Sequence, residues 1–283
     1  VPCGGNGDAS LGEGSVPFCK VPPFYTRGII RGMRLLAAIA LLLVPPFAAA
    51  GSIVHVPTAS GDIAIYDEPR AGAADTLLLF PGGGGGFGKL EGGKPSSGNF
   101  LVRSLPHFVA EGFDIAILGR PNGGTEIGGN ERISDSHVDD IARVVEHLKR
   151  RGAKRIWLVG TSRGSVSVAA AAVKLKDPAI AGAVMSSSVL VAHRGAAITS
   201  VDLSRVKVPT LLYHHERDEC AACPPSDVKS AYDALSGARS RQVLMATGGS
   251  GPRGDPCGAH HWHGFIGMEH EAVAAIAGWI RGR

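Results

Sequence analysis

Six short, mostly apolar runs limit this chain more than any other feature: Thr76–Phe80, Asp114–Leu118, Arg155–Val159, Ala181–Met185, Thr210–His214 and, opening on Arg-Gln, Arg241–Met245. Each is too short for a core helix and is continuous in place of alternating, as expected of strands buried on both faces. Between most of them lie stretches of helical spacing. Phe100–Glu111 puts Leu101, Leu105, Phe108 and Val109 on one face, and Asp135–Arg151 does the same with Ile141, Val144, Val145 and Leu148, ending at Gly152. Ser165–Lys176, stopped by Pro178, Ser226–Leu235 and Glu269–Arg281 also read as helices. Strands alternating with helices predict an α/β domain with a mostly parallel, doubly wound sheet covered on both sides. Ser52–Val56 and Asp62–Tyr66, flanking Ala59-Ser60-Gly61, read as an antiparallel hairpin at the N-terminal edge.

The chain has 283 residues, and its first fifty differ from the rest. Arg31 and Arg34, the apolar run Leu35–Val44 and the small residues Ala48-Ala49-Ala50 have the three-part layout of a secretory signal over 33–50. The apolar run is about ten residues, short of the roughly 20 that span a bilayer. Residues 1–32, rich in Gly and Pro and without periodicity, read as upstream sequence from a misplaced start or as a disordered extension. The domain is then 51–283, a length that suits one α/β unit. Of the formal charge of +4, residues 1–50 contribute four basic against two acidic side chains, leaving only +2 for the domain. No basic stripe is present, so nucleic acid is not an expected partner.

The strand at Arg155–Val159 runs into Gly160-Thr161-Ser162-Arg163-Gly164 and then a helix. A G-x-S-x-G pentapeptide in that setting lifts a serine on a strained turn, the glycines letting strand and helix approach. A serine nucleophile needs a base to take its proton and a carboxylate to orient the base. Two later loops, each after a strand, supply these types in order: His214-His215-Glu216-Arg217-Asp218, then His260-His261-Trp262-His263-Gly264-Phe265. With these residues the chain resembles the α/β-hydrolase family over 52–281, in the form of an exported bacterial subgroup without a large cap domain. The resemblance implies Asp218 as the acid, since His214-x-x-x-Asp218 matches the family's H-G-x-x-D with His215 in place of Gly. Glu216 is the reserve. It implies His263 as the base, through His263-Gly264-Phe265, with His260 and His261 as competitors.

Two N–H donors must meet the carbonyl oxygen as it becomes negative. One is the backbone of Arg163. The other belongs to the loop after Phe80, where the family commonly has H-G-G and this chain has Pro81-Gly82-Gly83-Gly84. The resemblance points to Gly83, with Gly84 next. The same glycines fail as a phosphate loop, because Lys89 is not followed by Ser or Thr. Asp139 and Asp140 read as favourable charges in the first turn of the long helix. Arg132-Ile133-Ser134 with His137 and Asp140 resembles a pattern of the exported subgroup, without a role that the residues themselves reveal.

Cys220, Cys223 and Cys257 fall in the domain. Export favours a disulfide, and a Cys220–Cys257 bridge would tie the acid loop to the base loop. Cys220–Cys223 is the other pairing, and zinc held by Cys220, Cys223, Cys257 and His260 is the rival. The expectation is a periplasmic or secreted serine hydrolase acting on a small-molecule carboxylic ester, with no metal or organic cofactor. A peptidase or amidase on the same triad, or a binding protein on the same fold, are the alternatives. Without a cap, the pocket walls are expected from 87–99, 119–134 and 190–206. Arg120, Arg132, Arg163 and Arg217 favour an anionic substrate only if they face the site.

Overall fold

The computed structural model describes residues 51–59 and 61–283. The leader expected over 33–50 and the segment 1–32 lie outside the described residues. In chain order the elements are β1 (Ser52–Thr58), β2 (Gly61–Glu68), β3 (Thr76–Phe80), β4 (Leu90–Glu91), β5 (Lys94–Pro95), α1 (Phe100–Arg103), α2 (Leu105–Ala110), β6 (Asp114–Pro121), α3 (Asp135–Arg150), β7 (Ile156–Thr161), α4 (Arg163–Lys174), β8 (Ile180–Ser186), β9 (Thr210–His215), α5 (Val228–Ala234), β10 (Arg241–Ala246) and α6 (Glu269–Arg281).

Eight strands form one sheet in the order β1-β2-β6-β3-β7-β8-β9-β10. The pairs β1/β2 and β2/β6 are antiparallel, and every pair from β6/β3 onward is parallel. Alternate residues of the strands enter two separate apolar layers, which is why the runs are continuous in sequence. Leu78 and Phe80 meet Ile141, Val144 and Leu148 of α3 and Val168 of α4 on one face. Leu77 and Leu79 meet Phe100 and Phe108 of α1 and α2, and Ile276 of α6, on the other. From β3 the chain crosses to β6 and then returns past β3 to β7. That reversal opens a crevice at the C-terminal ends of β3 and β7, where open α/β sheets place their ligands.

The helix expected over Phe100–Glu111 is two. Pro106, in the first turn of α2, has no N–H to give to the preceding turn, and the chain breaks at Ser104. The helix expected from Ser226 begins as a 3₁₀ turn, Pro225–Asp227. The small β4/β5 hairpin lies within the 87–99 loop. Among the described residues no helix is long and apolar enough to cross a membrane.

Candidate active site

Ser162 occupies the single residue between β7 and α4, with φ 52° and ψ −129°. A positive φ is costly for a residue with a Cβ and persists only where the surroundings impose it. Here they do: Ser162 N donates to Ser186 O at 3.0 Å, and Ser165 Oγ donates to Ser162 O at 2.6 Å. The flanking glycines answer a packing need, since neither has a positive φ. A Cβ on Gly160 would strike the backbone of Gly164, and one on Gly164 would strike the Phe80 carbonyl.

Asp218 and His263, 45 residues apart, meet in the structure: His263 Nδ1 donates to Asp218 Oδ2 at 2.9 Å. The other carboxylate oxygen, Oδ1, accepts from Cys220 N at 3.0 Å. Both residues are buried. With Nδ1 engaged, His263 Nε2 is buried and has no hydrogen-bond partner among the described residues. Ser162 and His263 line one cleft of ≈ 350 Å³ together with Gly82–Gly85, Asn99 and Arg120. Of the competitors, Glu216 is exposed, His260 is exposed, and His261 lies 3.7 Å from Glu219 Oε2.

Several residues that sequence reasoning did not assign hold this pair. Ser187, itself at φ 41°, donates from Oγ to His263 O at 2.8 Å. Arg103 bonds Gly264 O and pairs with Glu269 at 3.0 Å, pinning the turn that carries His263. His214 Nε2 donates to Cys223 O at 3.0 Å and sits 3.6 Å from Asp218 Oδ2. His215, where the family pattern has Gly, stacks on Trp262 with ring centroids 5.1 Å apart. Its Nδ1 accepts from Arg217 N at 3.0 Å and its Nε2 donates to Gly248 O at 3.2 Å, so the ring is neutral with the proton on Nε2. Burial also holds its pKa below the usual histidine value. No sequence signal marks Ser187 or Arg103, because the groups they hold, the His263 and Gly264 carbonyls and the Glu269 carboxylate, lie far along the chain.

The glycine loop after β3 sits against Ser162: a Cβ on Gly82 would come within 2.8 Å of Ser162 Cβ. Gly83 adopts φ 57°. Its carbonyl accepts from Arg132 Nη2 at 3.0 Å, while Arg120 Nε donates to Gly85 O at 3.0 Å. Arg132, 1% exposed, also reaches Ser167 Oγ of α4 at 3.1 Å, and His137 Nε2 meets the same oxygen at 2.9 Å. Burial, with the Arg132 charge adding to it, pushes His137 down to about 4, so the imidazole is neutral. The shared Ser167 hydroxyl completes a hydrogen-bonded chain from Gly83 through Arg132 and Ser167 to His137. This is the place of the Arg132–His137 pattern: a brace beneath the loop. Asp139 and Asp140, expected as charges in the first turn of α3, lie beyond it because the helix already starts at Asp135, and Asp140 is buried at 2% exposure with Oδ1 unpartnered among the described residues.

The four arginines are all engaged by the protein. Arg217 lies over Trp262 at 4.0 Å, and Arg163 donates to Arg194 O at 3.2 Å and stands 3.7 Å from Glu126. A second cleft of ≈ 520 Å³ that also reaches Ser162 is lined by Gly83, Arg163, Val189, Val191, Ala196 and Ala222, with Asp255 and Cys257. Its walls include 190–206 as expected, and Asp255 and Cys257, which were not. A larger cavity of ≈ 860 Å³ lies around Thr76 and Asp114, at the N-terminal ends of β3 and β6. It is at the wrong end of the sheet for the serine. Cys220 and Cys257 are joined, and Cys223 is a free buried thiol. Burial, with the Asp218 charge adding to it, pushes that thiol far above its usual pKa.

No family model and no curated protein matches the chain. Solved structures do. An esterase from Pyrococcus furiosus is 13% identical with a TM-score of 0.61, covering 82% of this chain and 92% of its own. A serine hydrolase without a lid from Xanthomonas campestris is 18% identical, with a TM-score of 0.54 and coverage of 84% and 95%. A cold-adapted esterase from an Arctic intertidal metagenomic library is 14% identical, with a TM-score of 0.57 and coverage of 82% and 93%. At these identities the likeness is one of fold: residues 51–283 have the α/β-hydrolase fold.

Proposed function

We propose that this chain is an exported serine hydrolase that cleaves carboxylic esters through an acyl-enzyme. The observation that carries the reading is the Asp218–His263 hydrogen bond of 2.9 Å, with His263 and the strained Ser162 sharing one cleft. His263 Nε2 takes the Ser162 hydroxyl proton as Oγ attacks the carbonyl carbon. Asp218 keeps the proton of Nδ1 in place and stabilises the imidazolium. The N–H groups of Gly83 and Arg163 receive the oxyanion, aided by the N-terminal dipole of α4. His263 then protonates the leaving alcohol, and a water activated by the same nitrogen releases the acid. This chemistry needs no metal or organic cofactor.

Export is supported by the leader pattern over 33–50 and by the Cys220–Cys257 bridge, which suits an oxidising compartment. The two small, open clefts beside Ser162 support short acyl and alcohol groups over long lipid chains. Fluorophosphonate labelling tests the nucleophile: the native protein takes up the label and Ser162→Ala does not. A label that persists in Ser162→Ala removes the assignment. Hydrolysis of aryl esters lost in His263→Ala and kept in His261→Ala supports the base, and the reverse pattern transfers it.

A further inference from the structure

Cys223 is a buried free thiol that the hydrolytic chemistry does not use. Its Sγ, the Cys220 Sγ and a ring nitrogen of His263 all lie within 4.8 Å of one another, and all three residues are buried. Donor atoms of a tetrahedral zinc stand about 2.0–2.3 Å from the ion, hence roughly 3.5–3.8 Å from each other. Small side-chain rotations would close the cluster to that spacing. Sulfur with imidazole is the donor set that suits Zn²⁺.

A second observation points the same way. His263 Nε2 is buried and unpartnered among the described residues, while Nδ1 is held by Asp218 at 2.9 Å. A carboxylate on the far nitrogen is the arrangement that steadies metal-binding imidazoles. The same carboxylate braces the Cys220 backbone, through Cys220 N to Oδ1 at 3.0 Å. What withholds the site is the bridge, because a disulfide sulfur is not a thiolate. Cys257 is exposed and offers a reductant its entry.

We propose that reduction of the Cys220–Cys257 bridge converts this cluster into a Zn²⁺ site formed by Cys220, Cys223 and His263. An external dithiol supplies two electrons and two protons and becomes a disulfide, leaving Cys220 and Cys257 as thiols. The cation then displaces the thiol protons to water. Metal binding occupies His263 and silences hydrolysis, so the chain is inactive while reduced and metal-bound, and active once oxidised. The silencing rests on the triad reading proposed above; the metal site does not.

The test uses the full chain with Co²⁺ as a spectroscopic stand-in and Zn²⁺ for activity. Phosphine-reduced protein is expected to show a thiolate-to-cobalt charge-transfer band and to retain one equivalent of metal on desalting, whereas oxidised protein shows neither. Cys257→Ser, a change at an exposed position, is expected to bind the metal with only enough reductant to keep its thiols free. Adding Cys223→Ala is expected to abolish the band. Reduced protein that binds no more metal than oxidised protein overturns the site, as does a band that survives Cys223→Ala. If the metal binds as expected but ester hydrolysis is untouched, the site stands and the base role of His263 falls. If hydrolysis is lost in His263→Ala and reduced protein binds no metal, the hydrolase reading stands and this inference falls.

Discussion

Replacing Arg132 by Met separates the catalytic from the structural part of the buried network. The guanidinium gives one hydrogen bond to Gly83 O at 3.0 Å and one to Ser167 Oγ at 3.1 Å. Hydrogen bonds to a charged group contribute about 1.5–3 kcal/mol each, so their loss alone would cost roughly 3–6 kcal/mol. Against this, Arg132 is 1% exposed, has no ion pair among the described residues, and keeps its charge, although burial lowers its pKa to about 10. Removing a buried, unpaired cation returns a desolvation penalty of several kcal/mol. The two effects are of similar size, and stability is expected to change by no more than about 2 kcal/mol, or roughly 4–8 °C in Tm for a domain of this size. Activity has no such compensation. Without its tether at Gly83 O the loop loosens around the adjoining Gly82–Gly83 peptide, and displacing its Gly83 N–H, one oxyanion donor, costs about 10²–10³ in kcat. The assay is kcat and KM on a short aryl ester beside thermal unfolding. The expected result is a kcat lowered at least about 100-fold with KM changed little and the fold retained. A kcat within about threefold of the native value, or an activity loss matched by unfolding, refutes the reasoning.

The depressed His137 pKa of about 4 sets a pH dependence of stability. Between about 6.5 and 4 the unfolded state holds the extra proton, so stability is full above that window and declines as pH falls through it, by up to about 3 kcal/mol. Denaturant midpoints at pH 7.5 and 5 are expected to diverge less in His137→Gln than in the native chain, and equal divergence discards the attribution. Cutting the bridge with Cys257→Ser opens a loop whose ends are 37 residues apart, for which chain entropy predicts a loss of about 4 kcal/mol; a midpoint unchanged in urea would contradict this. Gly164→Ala is expected to yield little folded protein, since its Cβ meets the Phe80 carbonyl, and a soluble, active variant would show the turn to be more yielding than its packing implies. His215→Gly, which restores the family's usual residue, removes the Trp262 stack and the bond to Gly248 O. It is expected to cost about 1–3 kcal/mol in unfolding with a smaller effect on kcat, and an unchanged midpoint counts against the brace.

The sheet was legible because burial on both faces writes itself into local sequence: Leu77 and Leu78 belong to opposite layers, so the run between two helices is apolar throughout. The order Ser162, Asp218, His263 was legible for a related reason. Each follows a strand, and strand ends in such a sheet converge on one edge. The sequence alone therefore determined the α/β class, the edge hairpin, the strand–Ser162–helix turn and the two loops that carry Asp218 and His263. Within those loops the family pattern already preferred Asp218 to Glu216, and tertiary structure supplies the physical difference: the two are two residues apart, yet one is exposed and the other is buried against His263. The break at Ser104 also escaped, because the apolar face runs unbroken across a proline that interrupts only the backbone ladder. Arg132 shows the limit most plainly. Its side chain is the charge expected in solvent, and only the packing of α4 against the glycine loop places it in the interior, where a guanidinium can hold a carbonyl that no local pattern marks. Side-chain burial and long-range bonds to backbone depend on which elements meet. Hydrophobic period reports only that an element has a face to bury.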